Sequence, residues 1–483
     1  MPENALATAL RESARLLGED SARILRPDQP GVNVSMFEPR RVAAVIRPAR
    51  ADQVPGIVRA FAHPDAPPLH AVSTGRNWGL GSREAADHGT VRVELDDLDR
   101  IRDLDTDHGW AVIEPGVTQL HLSSRLAGSP RMLNVTASSG HTSVLGNALD
   151  RGVGLRRQRT ADLAGLEVVL PDGELLHVGW WPRRDTATAP NPHGLGPSLL
   201  HLFTQSSLGI VTAGVVRLLP RPEVQRVVRL TFGHDHLGPA VDELRRWHAQ
   251  GLVHGVLKIY DTTSATSYGT DSGRGGYLAH LSLGGTATVV DALTEGVFEL
   301  AEASGLFTSV ARSDKEPPAE DDVVSRVVQH GYAGSVAHHE EMLRSAVGQH
   351  AARVDQDGGG WLFFLPLVPY SGEHVTAALG LLDRVHAETG IRPGATVNAL
   401  DPDVIDLVVS LRFARTHEET VRAHTALDLL HELFISAGYL PYRLDIDHAR
   451  WTERLLDPAA LALSRRLREV VDPHHVIAPG RYA

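Results

Sequence analysis

A glycine-rich stretch near the start of the chain has the residue types that bind phosphate. Residues 72–82 are VSTGRNWGLGS and contain three glycines, Gly75, Gly79 and Gly81. A glycine-rich turn that leaves a strand exposes backbone N–H groups, which bind phosphate oxygens. Further donors are the side chains of Ser73, Thr74, Arg76 and Asn77. The stretch predicts a pyrophosphate cradle, with an ordinary surface turn as the alternative. Its spacing is neither the G-x-G-x-x-G of a Rossmann fold nor the lysine-containing P-loop.

A second loop has the same character. The stretch NVTASSGHTSVLGNALDRGVG contains small and hydroxyl-bearing residues at 138–143, followed by Gly146 and Asn147. The lack of bulky side chains lets a ligand approach the backbone closely. Two such loops that face one cofactor suit a long cofactor.

Histidine is abundant but does not form a metal-binding motif. The chain has 26 histidines, and the densest groups are His338-His339 and His474-His475. Neither group has an i, i+4 pair with a third ligand nearby, so we expect no catalytic metal. His141, in the second loop, is the better functional candidate, as a hydrogen-bond partner of the cofactor.

The predicted strands and helices place both loops in the first half of the chain. PLHAVSTG (68–75) predicts a strand that leads directly into the cradle. Pro171-Asp172-Gly173 lies between two alternating apolar runs and predicts a hairpin. The prolines at 220 and 222 mark a domain edge. Beyond them the pattern predicts α+β units with antiparallel strands, a polar loop at 261–276 and a helix capped by Thr416.

Composition excludes several classes of protein. At 483 residues the chain is too long for one hydrophobic core, so two or more domains are expected. A net charge of -12 without a basic block argues against nucleic acid as a partner. The absence of cysteine excludes disulfides and a flavin tethered through sulfur. With no signal peptide and no apolar span, we expect a cytoplasmic protein that does not bind membranes. A homodimer is the assembly considered.

Five motifs occur together in the order of one known family. They are STGRNWGLG, SVLGNALDRGVG, LEVVLPDGE, LFTQSSLGIVT and VDPHHVIAPGR. In this combination the chain resembles the vanillyl-alcohol oxidase and 4-cresol methylhydroxylase family of flavoproteins. The resemblance covers about residues 42–220 and 404–481.

The resemblance implies an α+β fold: a split, two-lobed FAD-binding domain of the 4-cresol methylhydroxylase type, with an inserted antiparallel-sheet α+β cap domain that holds a small-molecule substrate. The implied domains are 1–222 for FAD, 223–437 for the cap and 438–483 for a return to the FAD domain. The implied FAD-binding residues are Ser73, Thr74, Gly75, Arg76, Asn77, Gly79, Pro115, Gly116, Ser138, Ser139, His141, Thr142, Ser143, Gly146, Asn147, Ile210, Val211 and Arg481.

Some residues depart from the family pattern. Pro402-Asp403 and Asn77 stand where relatives tether FAD, so we expect non-covalent FAD. Leu80 and Ser138 replace a tyrosine and an aspartate that phenol-oxidising members use, so simple phenols should be poor substrates.

One catalytic pair of the family is retained. Tyr442-Arg443 matches the family's tyrosine–arginine pair, whose roles would be proton transfer and stabilisation of negative charge. The alternative is a strand-end tyrosine and a surface arginine. Three further arginines, Arg156, Arg157 and Arg159, either form a solvated basic turn, which we expect, or face an acidic substrate.

The resemblance and the two loops together predict an FAD-dependent oxidoreductase. Its flavin N5 would accept a hydride from a small alcohol, amine or ring intermediate of secondary metabolism. Two alternatives stay open: a flavoenzyme for a redox-neutral, desaturation or cyclisation step, and an inactive flavin-binding protein.

Overall fold

The computed structural model describes residues 2–18, 20–27, 31–183, 189–270 and 275–482. Within these ranges the α-helices are α1 (Pro2–Leu16), α2 (Val54–Phe61), α3 (Gln119–Arg125), α4 (Val144–Leu149), α5 (Leu237–Ala249), α6 (Thr262–Ser267), α7 (Ala287–Ser304), α8 (Val323–Tyr332), α9 (His339–Val347), α10 (Gly372–Thr389), α11 (His417–Ser436), α12 (Thr452–Leu455) and α13 (Pro458–Val471). Among these helices, none combines the length and the apolar character that crossing a lipid bilayer requires.

The strands form four sheets. They are β1 (Ile24–Leu25), β2 (Val42–Ile46), β3 (Leu69–Val72), β4 (Thr90–Glu94), β5 (Ile101–Asp105), β6 (Trp110–Ile113), β7 (Arg131–Met132), β8 (Leu163–Val169), β9 (Leu175–Gly179), β10 (Ile210–Arg217), β11 (Leu219–Pro220), β12 (Val224–Phe232), β13 (Leu257–Asp261), β14 (Tyr277–Gly285), β15 (Ser309–Arg312), β16 (Gly360–Pro369), β17 (Gly394–Ala399), β18 (Val404–Phe413) and β19 (Pro441–Arg443).

The first sheet carries the glycine-rich stretch. Its order is β1-β2-β4-β3, and β2, β4 and β3 run parallel. Strand β3 is the predicted strand, and the chain leaves it directly into Ser73. Helices α1 and α2 pack together, and their apolar side chains share one core with those of β2, β3 and β4. The expected order of strand and cradle is therefore observed.

The second sheet supports the other loop. Its order is β5-β6-β10-β8-β9, and every neighbouring pair is antiparallel. Strands β8 and β9 form the predicted hairpin across Pro171-Asp172-Gly173. Helix α4 begins where the hydroxyl-rich loop ends, because the Ser143 side chain accepts a hydrogen bond from the Gly146 N–H at 2.9 Å.

The largest sheet, which we call the third sheet, has eight strands in the order β15-β12-β14-β13-β17-β18-β16-β19, all antiparallel. The remaining sheet has two strands, β11 and β7. The side chains of the third sheet alternate between two environments. Leu257 and Ile259 face a core shared with α5, α7, α10 and α11, whereas Tyr260 packs in another core with residues of the second sheet. Burying a phenylalanine such as Phe364 or Phe434 in the first core contributes about 2 kcal/mol. The face of the sheet that carries Tyr260 is therefore turned away from these helices.

Two predictions for this region have clear outcomes. Thr416 caps α11 as expected, since its hydroxyl accepts from the Glu419 N–H at 3.3 Å. The prediction of a polar loop at 261–276 is wrong over its first part, because Thr262–Ser267 form helix α6. Asp261 caps this helix by accepting from the Ser264 N–H at 2.6 Å. Residues 271–274 of the same stretch lie outside the described residues.

Candidate active site

A groove of about 290 Å³ runs along the glycine-rich stretch. Most of the expected cofactor residues line it: Ser73, Thr74, Gly75, Arg76, Asn77, Pro115, Thr142, Ser143, Gly146, Asn147, Ile210, Val211 and Arg481. They come from both lobes, so the groove lies where the first two sheets meet. Leu80, Gln205 and Tyr482 also line it, and sequence analysis did not assign them to the cofactor.

The two predicted loops are in direct contact. The Ser143 N–H donates to Thr74 Oγ1 at 3.1 Å, and Ser143 Oγ donates to the Pro115 carbonyl at 2.6 Å. A Cβ on Gly146 would collide with the hydroxyl of Ser73. Glycine is required there because only it allows the loops to approach so closely.

Unsatisfied polar atoms in the groove fit a long polar cofactor such as FAD. Arg76 Nε and Asn147 Oδ1 are buried and have no hydrogen-bond partner among the described residues. Burial lowers the pKa of Arg76. Leaving such atoms unpaired is costly, so a bound molecule that pairs with them is favoured. The residues present therefore fit FAD.

Five expected cofactor residues do not line the groove: Gly79, Gly116, Ser138, Ser139 and His141. Gly79 packs against the ring of Phe363, and a Cβ on Gly116 would collide with the Asp96 carbonyl, so both are needed for close packing. Ser139 is buried, and its carbonyl accepts from Gln119 at 2.9 Å. His141 is half exposed and its Nε2 lies 3.3 Å from Glu340.

Gly75 lines the groove in a backbone conformation that favours glycine. Its φ is +67°, which favours glycine, and a Cβ would meet the side chain of Arg83. A larger residue at this position would therefore strain the backbone and clash with Arg83.

A second cavity, of about 180 Å³, lies between this groove and the third sheet. We call it the cap cavity. Aromatic rings supply much of its wall: Trp78, Tyr260, Tyr268, Trp361 and Phe363. Ser138, Tyr442 and Leu365 also line it. Six residues line both spaces: Arg76, Asn77, Leu80, Thr142, Asn147 and Arg443. The groove and the cap cavity are thus neighbouring parts of one site.

Arg443 is paired within the protein. Asp150 accepts hydrogen bonds from Arg443, from Arg481 Nη2 at 2.7 Å and from the Tyr482 hydroxyl at 3.0 Å. Arg443 Nη2 also donates to Asn77 Oδ1 at 2.8 Å. Burial raises the pKa of Asp150, but the attraction of Arg443 and Arg481 outweighs it and lowers the pKa overall. A surface arginine, the alternative for Arg443, is wrong, because its side chain is only 12% exposed.

Three strands of the third sheet bring a row of polar residues to the cap cavity. Lys258 on β13 pairs with Asn398 on β17, which pairs with Asp406 on β18. Lys258 Nζ donates to Asn398 Oδ1, and Asn398 Nδ2 donates to Asp406 Oδ2 at 3.2 Å. The Tyr442 hydroxyl donates to the same Asp406 oxygen at 3.3 Å. Sequence analysis missed this row, since a lysine within HGVLKIY has the pattern of a solvent-facing strand position.

Burial shifts the pKa of the three titratable groups in this row, Lys258, Asp406 and Tyr442. It lowers the pKa of Lys258 to about 8 and raises the pKa of Asp406 to about 6. The pKa of Tyr442 is raised well above its usual value, also by burial. Both Lys258 and Asp406 can therefore change protonation state near neutral pH.

Of the two positions where relatives tether FAD, Asn77 lines both spaces and Asp403 lines neither. Asp403 is exposed, its carboxylate lies 3.4 Å from Arg245, and it lines neither the groove nor the cap cavity. Of the residues that line the cap cavity, none is a histidine. Non-covalent binding of FAD stays a prediction.

The prediction that residues 156–159 form a solvated basic turn is wrong. Arg159 is fully buried, and Arg156 donates to the Tyr332 carbonyl at 2.7 Å and to Ser282 Oγ at 3.1 Å. Arg157 pairs with Asp162 at 2.7 Å. None of the three lines the groove or the cap cavity. Arg156 instead attaches the loop before β8 to α8 and β14.

Histidine forms a cluster that the sequence did not indicate. Within the described ranges, His431, Asp445 and His448 have ligand atoms within 4.8 Å of one another. His448 lies between two carboxylates, with Nδ1 2.9 Å from Asp445 and Nε2 3.3 Å from Asp428. Burial lowers the pKa of His448, but its hydrogen bonds to these carboxylates raise it to about 9 overall. Charge pairing accounts for the arrangement.

Comparison with known proteins identifies an FAD-binding domain in the chain. A family model described as an FAD binding domain matches residues 42–179. The 1'-carboxy-chondrochloren decarboxylase of Chondromyces crocatus is 31% identical over 92% of this chain and 90% of its own. The flavoprotein subunit of 4-cresol dehydrogenase (hydroxylating) from Pseudomonas putida is 25% identical over 98% of this chain and 94% of its own.

The fold is also known from a crystal structure. That of p-cresol methylhydroxylase with substrate bound has a TM-score of 0.88 at 24% identity and covers 99% of this chain and 96% of that chain. This likeness confirms the predicted α+β fold with its split FAD-binding domain and cap. The chain therefore belongs to the vanillyl-alcohol oxidase and 4-cresol methylhydroxylase family of FAD-linked oxidases and is an FAD-dependent oxidoreductase.

Proposed function

We propose that the protein oxidises a small, mainly apolar organic molecule that lies in the cap cavity against FAD in the groove. The observation that carries this proposal is the wall that the two spaces share, of which Asn77 and Arg443 are part. FAD, when bound, supplies a hydride acceptor at flavin N5. The aromatic lining favours a substrate with a ring or an extended apolar part.

Residues of both loops and of the return segment would hold the cofactor. In this proposal Ser73–Asn77, Thr142–Asn147, Ile210, Val211 and Arg481 bind FAD, because all of these segments contribute to the groove. Tyr442 and Arg443 would act on the substrate from β19. The corresponding division is an FAD domain at 1–222, a cap at 223–437 and a return at 438–483. Strand β19 still pairs with β16, so the return begins on the cap sheet.

Flavin reduction tests the proposed function. The purified protein, mixed without oxygen with a panel of alcohols, amines and ring-containing acids, should lose its flavin absorbance with at least one class. Product mass then separates oxidation from a redox-neutral or cyclising step. If no member of the panel reduces the flavin, the result contradicts the proposal and favours an inactive flavin-binding protein.

A second candidate is oxidation with loss of carbon dioxide. The relative from Chondromyces crocatus is named a decarboxylase of a 1'-carboxy compound and matches nearly the whole chain. The buried cation Lys258 in the cap cavity favours a substrate that carries a carboxylate. Release of CO2 together with flavin reduction would establish this candidate.

Cellular location and assembly are also proposals. We propose a cytoplasmic homodimer, in keeping with a chain that has no cysteine and so needs no disulfide. Cell fractionation and light scattering of the purified protein test the two parts separately.

A further inference from the structure

We propose that Lys258 and Asn398 form a carboxylate-binding subsite in the cap cavity, and that the substrate is therefore a small organic acid. This inference rests on the proposed function, because it names the class of molecule that occupies the same cavity. The supporting observations are the burial of Lys258 in the cavity, the groups that surround its ammonium group and the ammonium donors that have no partner.

Lysine is rare in this chain. The sequence contains two lysines, Lys258 and Lys315, although Lys and Arg together number 47. Lys315 is exposed, whereas Lys258 is only 6% exposed and lies in a cavity with an aromatic wall. Burying an ammonium group is costly unless a partner compensates for the lost water. A buried lysine in a binding cavity is therefore a candidate for anion recognition.

The strand register holds Lys258 in place. Leu257 and Ile259 point into the core beneath the sheet, so the alternation along β13 directs the side chain of Lys258 to the cavity face. Its cross-strand partner Asn398 accepts one hydrogen bond from Nζ, and the ring of Tyr260 lies 5.3 Å from Nζ. The ammonium group is thus pre-positioned by neighbours on β13 and β17.

Two of the three ammonium donors are free. In the part of the chain that the structure describes, Lys258 Nζ has no hydrogen-bond partner besides Asn398, and no carboxylate lies within ion-pair distance of it. Its other strand neighbour, His280, carries no charge, because burial lowers its pKa to about 3. A carboxylate would accept both free donors and form a direct ion pair with the ammonium group.

Asp406 is not the carboxylate that pairs directly with Lys258. Asn398 separates it from Lys258, and its Oδ2 is occupied by Asn398 and Tyr442. Its Oδ1 is buried without a partner among the described residues. Burial raises the pKa of Asp406 to about 6, so it loses its charge more readily than an exposed carboxylate, which lessens its repulsion of a bound acid. The row therefore accommodates a carboxylate at the lysine end.

The first test needs no variant at the site. Protein grown with [ε-13C]lysine should show two lysine signals, which a Lys315→Arg variant assigns. Phenylacetate should shift the Lys258 signal and raise its apparent pKa, because a bound anion stabilises the ammonium form. The neutral analogue phenylacetamide should do neither. Equal effects of the two compounds, or no effect of phenylacetate, would overturn the inference.

The second test measures affinity through the absorbance of bound FAD. Phenylacetate should bind Lys258→Met about tenfold to a hundredfold more weakly than the parent, and Lys258→Arg should recover part of the loss. Lys315→Met is the matched control and should bind like the parent. Unchanged affinity in a Lys258→Met protein with full FAD content would also overturn the inference. Failure of the proposed function is distinct, because it would appear as absent flavin reduction while phenylacetate still shifts the Lys258 signal.

Discussion

Two guanidinium groups share one carboxylate beside the groove. Arg443 and Arg481 both donate to Asp150, which leaves one net positive charge where the groove meets the cap cavity. A guanidinium keeps its charge at any working pH, unlike the phenol of Tyr442. Arg443 is therefore suited to stabilise negative charge on a substrate oxygen or on the cofactor, and Asp150 fixes its position.

Arg443 should contribute more to flavin reduction than Tyr442. Arg443→Ala removes a charged donor and should slow reduction by the true substrate about a hundredfold, equivalent to about 3 kcal/mol. Tyr442→Phe should cost about tenfold, because it removes one neutral hydrogen bond, which is to Asp406. Anaerobic stopped-flow absorbance measures both rates. Arg443→Lys and the FAD content of each variant serve as controls, and a near-parent rate for Arg443→Ala would make this arginine structural.

FAD should dissociate from the denatured protein. Asn77 cannot form a histidyl link, Asp403 lies outside the groove, and the chain has no cysteine. Acid precipitation should therefore leave a colourless pellet and put all the FAD in the supernatant, as measured by absorbance and mass. Flavin that stays on the washed pellet would reveal a covalent link, and a peptide digest would then locate it.

Buried charged groups fix the conformation of residues 445–448, which follow β19. Asp445 Oδ1 accepts from the N–H groups of Asp447 and His448, at 3.0 and 3.1 Å, and the imidazoles of His431 and His448 stack at 3.8 Å. Ile446, in the same segment, lines the groove and packs where a Cβ on Gly81 would lie. The charges thus position one wall of the groove.

Stability should fall in alkali because of His448. The carboxylates raise its pKa to about 9 in the folded protein, against 6.5 when unfolded. This stabilisation is fully present below about pH 6.5 and is lost as the pH rises through 9. Between pH 7 and pH 9.5 the free energy of unfolding should therefore fall more in the parent than in His448→Gln, by on the order of 2 kcal/mol.

Urea unfolding at the two pH values measures that difference. His474→Gln is the matched control, because His474 is exposed, and it should behave like the parent. If parent and His448→Gln lose the same stability between pH 7 and pH 9.5, His448 is not the ionised group in the cluster.

At the scale of the whole molecule, the site exists only where the FAD lobes and the cap meet. Leu80 and Ser138 come from the lobes, whereas Lys258 and Trp361 come from the third sheet, and all four line the cap cavity. Arg156 spans the same junction through Tyr332 and Ser282. Substrate choice therefore depends on both parts together.

Simple 4-alkylphenols should be poor substrates. A phenol with a pKa near 10 needs several donors to bind as phenolate at neutral pH, and Leu80 supplies none while Ser138 is no base. We expect 4-cresol and vanillyl alcohol to reduce the flavin at least about a hundredfold more slowly than the true substrate. The same stopped-flow measurement checks this. A Leu80→Tyr, Ser138→Asp double variant should gain rate with 4-cresol, and efficient reduction by the parent would show that the pocket is misplaced.

The sequence alone determined the cofactor loops, the β8–β9 hairpin, the family and the α+β fold. The loops and the hairpin depend on short-range chemistry, since glycines, hydroxyl side chains and a Pro-Asp-Gly turn act within a few residues of one another. The family and its fold came from the resemblance of five motifs in their order along the chain. The contact between Ser143 and Thr74 follows from two such loops on neighbouring lobes. Local patterns were therefore sufficient to predict the two loops, whereas FAD as their ligand came from the resemblance to a family.

Only the tertiary structure decided which distant residues meet. Lys258, Asn398 and Asp406 became neighbours through strand register, and Asp150 became the partner of Arg443 and Arg481 through packing of the return segment. The same holds for Arg159, which is buried although its sequence context is that of a solvated turn. Register and burial are set by contacts across hundreds of residues, and a side chain's charge state follows from that burial, so neither is readable from local spacing.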